Sequence, residues 1–238
     1  MPIMVRNVIK TSPKAVSKIK EKYYDDEYFD LEKIEKMPPR LDFSVGSETV
    51  NAILYAIYLK SESELEALEN DMKQRNVDLE YLTQYVFKSG MTLNEIKNSF
   101  TNDELEKIEH NAKMFSPWIA EERLGVKTLE DLGNLCLNNM LEYNSIARSD
   151  WCNVHWGTYA AYVDESKKED TMIIDSEWGT PKPLFIKLSK EFPEDTFYIE
   201  YEDDAGYSSG NMIIRNGEII EEHSLDDSEI EEEEMFDY

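Results

Sequence analysis

Three hydrophobic patterns follow one another along the chain. The stretch "PIMVRNVIKT" reads as a strand, and Ser12 with Pro13 then supplies an N-cap and a first-turn proline. In the helix this predicts, Ala15, Val16, Ile19 and Tyr23 share one face that can lie on a sheet. "DDEYFDLEKIEKMPPRLDF" follows, with a short strand candidate, and Pro38-Pro39 closes the first unit.

From Gly46 to about Arg148 the spacing becomes that of consecutive helices. Ser47, Asp78, Thr92 with Glu95, Thr101 with Glu104, Ser116-Pro117 and Thr128 mark starts, and Gly90 and Gly125 mark stops. Ile53, Leu54, Ile57, Leu65, Leu68, Leu82, Tyr85 and Val86 keep helical spacing and are expected as core. No internal repeat is evident, which argues against a solenoid.

After Arg148 the period becomes two. "WCNVHWGTYAAYV" and "DTMIIDSEW" read as paired strands, "KPLFIKLSKEF" as a helix and "TFYIEYED" as an alternating strand. Asn216-Gly217, between two apolar runs, predicts a tight hairpin, because both turn residues adopt positive φ.

With the helical block left out, the order is strand, helix, strand, strand, helix, strand, plus a C-terminal hairpin. The expected fold is therefore α+β: a ferredoxin-like split βαβ sheet over residues 1–45 and 149–223, a helical insertion at 46–148 between the second and third strands, and an acidic tail at 224–238. The term describes topology only, since Cys136 and Cys152 are too few to ligate an iron–sulfur cluster.

Charge changes the picture more than composition does. The chain has 25 basic and 51 acidic residues, a net charge of −26. Such a field repels nucleic acid and anionic membranes and favours basic proteins, above all surfaces that ordinarily hold DNA or RNA. The segments "ESELEALEND", "NDELEKIEH" and "EERLGVKTLED" supply the candidate partner-binding acids Glu64, Glu66, Glu69, Asp71, Asp103, Glu104, Glu106, Glu121, Glu122, Glu130 and Asp131. The tail from Glu221 carries ten acids and no Lys or Arg. It is expected to be solvated, so truncation after Leu225 should leave the fold intact and residues beyond Ser228 should move freely. There is no membrane-length apolar run and no signal-peptide core, which predicts a cytoplasmic protein. His110, His155 and His223 form no ligand pair, so neither a metal nor a cofactor is expected.

The tripeptide Trp-Gly-Thr occurs twice, at Trp156-Gly157-Thr158 and at Trp178-Gly179-Thr180. With Asp150-Trp151-Cys152, Ile174-Asp175, Pro181, Asn7 in the first strand and "IEKMPPRL", these residues resemble the YubB-type ferredoxin-like domain family of phages, plasmids and other mobile elements. Where the family pattern continues with a Lys and a Trp, this chain has Tyr159 and Ala160. The resemblance implies a fold and a mobile-element setting.

If the first tripeptide lies on a strand, Cys152, Val154, Trp156 and Thr158 face the core, while Trp151, His155 and Tyr159 join Tyr198 on the open face. Trp151, Trp156, Gly157, Thr158 and Trp178 then read as a structural signature of the sheet core. No phosphate loop, nucleophile elbow or calcium loop is present. The leading expectation is an acidic protein-binding protein of a phage or mobile element, of the kind that imitates nucleic acid to inhibit a host defence effector (anti-CRISPR or anti-restriction). Its partner would be a basic, nucleic-acid-binding host protein, with no direct nucleic-acid or membrane contact. The alternative is a small hydrolase or transferase using His155 and Asp175 on the open sheet face.

Overall fold

The structure, a computed structural model, describes residues 2–226. They form two compact units, residues 2–36 with 152–226 and residues 37–151.

The first unit holds one antiparallel sheet of eight strands. The strands are β1 (Met4–Lys10), β2 (Tyr24–Asp25), β3 (Tyr28–Phe29), β4 (Ala161–Asp164), β5 (Thr171–Glu177), β6 (Thr196–Asp203), β7 (Ser208–Arg215) and β8 (Glu218–Asp226). They lie in the order β2-β3-β4-β5-β1-β6-β7-β8. Central β1 pairs antiparallel with both β5 and β6, so β5 and β6 run parallel to each other on its two sides. Likewise β1 and β4 flank β5. Two βαβ units, each split by a strand of the other, make the ferredoxin-like topology.

Alternation builds the two faces. Val5, Asn7 and Ile9 of β1, Met172, Ile174 and Ser176 of β5, and Phe197 and Ile199 of β6 are buried on one face. That face is covered by α1 (Pro13–Tyr23), which buries Ala15, Val16, Ile19 and Tyr23, and by α11 (Lys182–Glu191), which buries Leu184, Phe185 and Leu188. Each large aliphatic or aromatic side chain removed from water here contributes roughly 1.5–3 kcal/mol. Ser12 caps α1 as expected, its hydroxyl accepting from Ala15 N at 3.1 Å. Asn216 and Gly217 both have positive φ, 49° and 80°, and close the β7–β8 hairpin.

The second unit is helical. It contains α3 (Ser47–Leu59), α4 (Glu62–Gln74), α5 (Leu79–Tyr85), α6 (Leu93–Asn98), α7 (Asn102–Met114), α8 (Ile119–Arg123) and α9 (Leu129–Tyr143) around a core that includes Ile53, Ile57, Leu65, Leu82, Ile96 and Leu132. The remaining helices are α2 (Leu31–Ile34) and α10 (Arg148–His155). One start escaped the sequence reading: Ser61 and Glu64 form a reciprocal capping box, Ser61 N donating to Glu64 Oε2 at 2.8 Å. The helix at Ser116-Pro117 begins later, with Trp118 N donating to Glu121 Oε2 at 2.9 Å.

Two expectations are corrected. Residues 148–155 are helical rather than extended, because Trp151, Cys152 and Trp156 are buried at the helical spacing of one and four residues while Val154 is exposed. Asp150 anchors this segment, its Oδ2 accepting from Ile146 N at 2.8 Å and Ala147 N at 3.2 Å. The strand read at "DDEYFD" is only the two-residue pieces β2 and β3 at the sheet edge, and β4 takes the place of the second strand. The helical residues therefore interrupt the first crossover, ahead of β4, instead of lying between the second and third strands. The expected behaviour of residues beyond Ser228 lies outside the described residues.

Candidate functional site

The helices cover one face of the sheet, and side chains at alternate positions stand on the other. Arg6 is at the centre of this face. Its register partners are Asp175 on β5 and Glu202 on β6. The guanidinium is held bidentately by Asp175, with Nε to Oδ1 2.9 Å and Nη2 to Oδ2 3.0 Å, and Nη2 also reaches Asp164 Oδ2 at 2.7 Å. The hydrogen bonds and charge of Asp175, with those of Asp164, raise the Arg6 pKa above its ordinary value. Arg6 and Asp164 are about half exposed, so water screens much of the attraction and geometry is the main product.

Beside Arg6 is a shallow groove of about 880 Å³ whose walls include Glu200, Glu202, Asp204 and Asn211. Glu200 pairs with Lys10 at 3.0 Å, and Asp204 Oδ1 accepts from Met4 N at 3.1 Å. Glu202 makes no ion pair with any described residue. Asp203 is spent on the β6–β7 turn, accepting from Ala205 N and Tyr207 N at 2.9 and 3.0 Å. Toward the other edge, Glu177 accepts from Tyr162 OH at 2.8 Å, and Tyr162 packs on Tyr28 with ring centroids 5.4 Å apart. The face is thus rich in carboxylates and Tyr rings, with Arg6 and Lys10 as its central cations.

The aromatic patch expected there is different in membership. Tyr198 is on the open face and exposed, whereas Trp151 and His155 belong to α10. The pair His155–Asp175 is not formed: Asp175 is occupied by Arg6, and His155 Nδ1 lies 3.1 Å from Glu35 Oε1. Burial lowers the His155 pKa below its ordinary 6.5. Glu35 also pairs through Oε2 with Lys187, whose own pKa is lowered by burial, and its carbonyl accepts from Trp156 Nε1 at 3.0 Å. Glu35 thus ties α2, α10 and α11 together. Its place in "IEKMPPRL" was visible in the sequence, but its partners lie 120 and 152 residues away.

The two Trp-Gly-Thr tripeptides meet through their glycines. Gly157 has φ +75°, and a Cβ there would stand 2.7 Å from Thr180 O and 2.9 Å from Pro183 Cδ. A Cβ on Gly179 would stand 2.6 Å from Gly157 O. Thr158 Oγ1 donates to Glu177 O at 2.7 Å, and Ser176 Oγ donates to Gly179 O at 2.8 Å. The repeat is a backbone clasp that fixes the start of α11 against the end of α10. Of its tryptophans, Trp156 is buried, but Trp178 is 57% exposed with φ 67°, which corrects its assignment to the sheet core.

The acids singled out on the helical unit have divided roles. Glu64, Glu104 and Asp131 cap helices, Glu69 is buried against Lys73 and Leu93 N, Asp71 pairs with Arg75, and Glu121 is buried. Glu66, Asp103, Glu106, Glu122 and Glu130 are exposed. Among the described residues no group of three His, Cys, Asp or Glu side chains could hold a metal, and no helix is long and apolar enough to cross a membrane.

The β4–β8 segment carries most of the open-face carboxylates, and it is this part of the chain that a family model recognises. Residues 158–238 match the ferredoxin-like domain in Api92-like protein. The Api92-like match opens within the first tripeptide and takes in Asp164, Asp175, Glu200 and Glu202, while β1 with Arg6 lies outside it. A solved structure of a protein api92 from Yersinia pseudotuberculosis aligns with 94% of this chain and 98% of that one, at 10% identity and a TM-score of 0.37. No curated protein matches the chain.

Proposed function

We propose that this is an acidic binding protein whose open sheet face seats a basic segment of a protein that otherwise holds nucleic acid. The observation that carries the reading is the groove beside Arg6, where Glu200, Glu202 and Asp204 line one wall of a sheet face that no helix of its own unit covers. Carboxylates at strand spacing imitate the repeated negative charge of a nucleic-acid backbone, and a partner with Lys or Arg pairs with them while releasing its counterions. The exposed Tyr198 gives an Arg side chain a ring to stack on. The same proposal includes the finer setting: a cytoplasmic protein of a phage or mobile element, of the YubB type, that blocks a host defence effector in the anti-CRISPR or anti-restriction manner. On the helical unit, Glu66, Asp103, Glu106, Glu122 and Glu130 are exposed acids that add to the negative charge a basic partner meets. The hydrolase alternative has no paired His155 and Asp175 on which to rest.

The test is capture from host lysate by the tagged full chain, eluted either with a salt gradient or with duplex DNA at constant salt. Nucleic-acid-binding proteins are expected at low salt, displaced by DNA, and reduced with Glu200→Gln/Glu202→Gln. Capture that is indifferent to salt and to DNA, or a captured set without nucleic-acid-binding proteins, overturns the reading.

A further inference from the structure

A second recess lies within the helical unit, around Glu121, the buried member of the acids described above. It has a volume of about 560 Å³, in the range of small-ligand sites, and its walls include Val45, Glu48, Thr49, Trp118, Ile119 and Glu121. Two features set it apart from an ordinary surface dent. Trp118 and Ile119 are 72% and 70% exposed, side by side at the mouth, although residues of this kind are ordinarily buried. Glu121, by contrast, is only 4% exposed, and no cation among the described residues pairs with it. Its Oε2 accepts from Trp118 N at 2.9 Å, and among the described residues no donor is seen at Oε1, an atom that is not fully closed off from solvent. Burial, and then the charge of Glu48, push the Glu121 carboxyl above its usual range. A buried carboxylate without a counter-ion is costly, and a cation delivered from outside offsets that cost.

We infer that this recess between the start of α3 and the start of α8 is a receptor for a single arginine side chain of a protein partner. The chemistry selects the ligand. An anion is disfavoured by Glu48 and Glu121, and Glu48 in the first turn already answers the positive end of α3. A purely apolar group would leave Glu121 uncompensated. A guanidinium satisfies both features at once, laying its plane on the Trp118 ring and donating to Glu121 Oε1, while its methylene stem covers Val45 and Ile119. An ammonium group is a compact, strongly hydrated point charge and makes poorer use of the ring. The recess is confined to residues 43–121, so this inference stands or falls independently of the sheet face.

The test is a nuclear magnetic resonance titration of the full chain with N-acetyl-arginine methylamide, following the Trp118 indole N–H and the Ile119 methyl group. Saturable shifts of both are expected. The citrulline analogue, of equal shape but uncharged, and Glu121→Gln with the arginine probe should each bind about tenfold more weakly, the loss of one charge-assisted hydrogen bond. The lysine analogue should be weaker than arginine, and Glu109→Gln, an exposed acid elsewhere on the unit, should change nothing. The inference is overturned by silence at Trp118 and Ile119, by citrulline or lysine binding as well as arginine, or by unchanged affinity in Glu121→Gln.

Discussion

Replacing Gly157 by alanine tests the clasp between the two Trp-Gly-Thr tripeptides. Two costs arise at this position. A left-handed backbone, here φ +75°, costs a non-glycine residue about 1–2 kcal/mol. The added methyl meets Thr180 O at 2.7 Å and Pro183 Cδ at 2.9 Å, backbone and ring atoms that cannot rotate away, and such overpacking costs about 1–3 kcal/mol. The expected loss is their sum, about 2–5 kcal/mol. The structure supplies a control for each part. Gly206 has the same φ of +75° with nothing within 4 Å, so Gly206→Ala isolates the backbone cost. Gly179 meets Gly157 O at 2.6 Å without a positive φ, so Gly179→Ala isolates the collision. Urea unfolding of the full chain, fitted with a transition for each compact unit and followed by tryptophan fluorescence, reads all three. Gly157→Ala should cost close to the two controls combined, and the Gly157→Ala/Gly179→Ala double variant less than the sum of its singles, because the first opens space for the second. If Gly157→Ala costs no more than Gly206→Ala, the tripeptides do not clasp.

Three further outcomes follow from particular side chains. Asn7, fully buried on β1, shares the two hydrogens of Nδ2 among Val5 O, Ile174 O and Ser176 Oγ at 2.8–3.0 Å, so Asn7→Ala should destabilise the sheet unit by about 1–3 kcal/mol in urea unfolding, and an unchanged midpoint would refute the role. Cys136 and Cys152 are fully buried and burial pushes the Cys136 thiol up, so Ellman's reagent should modify neither in the native state and both after unfolding; native reaction at Cys136 would contradict its packing. Because the folded state raises the Glu121 pKa, it holds that proton more tightly than the unfolded chain does, and the contribution of Glu121 to stability declines as pH rises through the carboxylate range. Glu121→Gln should therefore melt higher than the parent at pH 7, with the difference closing toward acid pH; a variant that is less stable at pH 7 would reverse the sign.

Signals that act over a few residues were legible. The capping pairs at Thr92 and Thr101 close as spaced and Thr128 opens its helix, because a cap is satisfied by its own first turn, and Asn216-Gly217 turns because its positive φ values are a property of those residues. The strands β1, β5 and β6 alternate as read, since period two follows from the pleat. Residues 148–155 failed locally: their apolar positions fit a period of two as well as a helix, and the deciding contact, Asp150 to the amides of Ile146 and Ala147, is a cap that lies behind the helix start instead of ahead of it.

By itself, then, the sequence determined the class of fold, several of the helix caps, the excess of negative charge and the importance of the repeated tripeptide. Only tertiary structure decided what those residues face. Arg6 meets Asp175 and Asp164 because β1 is inserted between β5 and β6, pairing residues 158 and 169 positions apart. His155 belongs to Glu35 because α10 is helical, and Glu121 is buried while Glu122 beside it is exposed because a helix turns one face inward. Charge and periodicity are sums over neighbours in the chain; partnership is set by which strand closes beside which, and that choice is made by the burial of the whole sheet face.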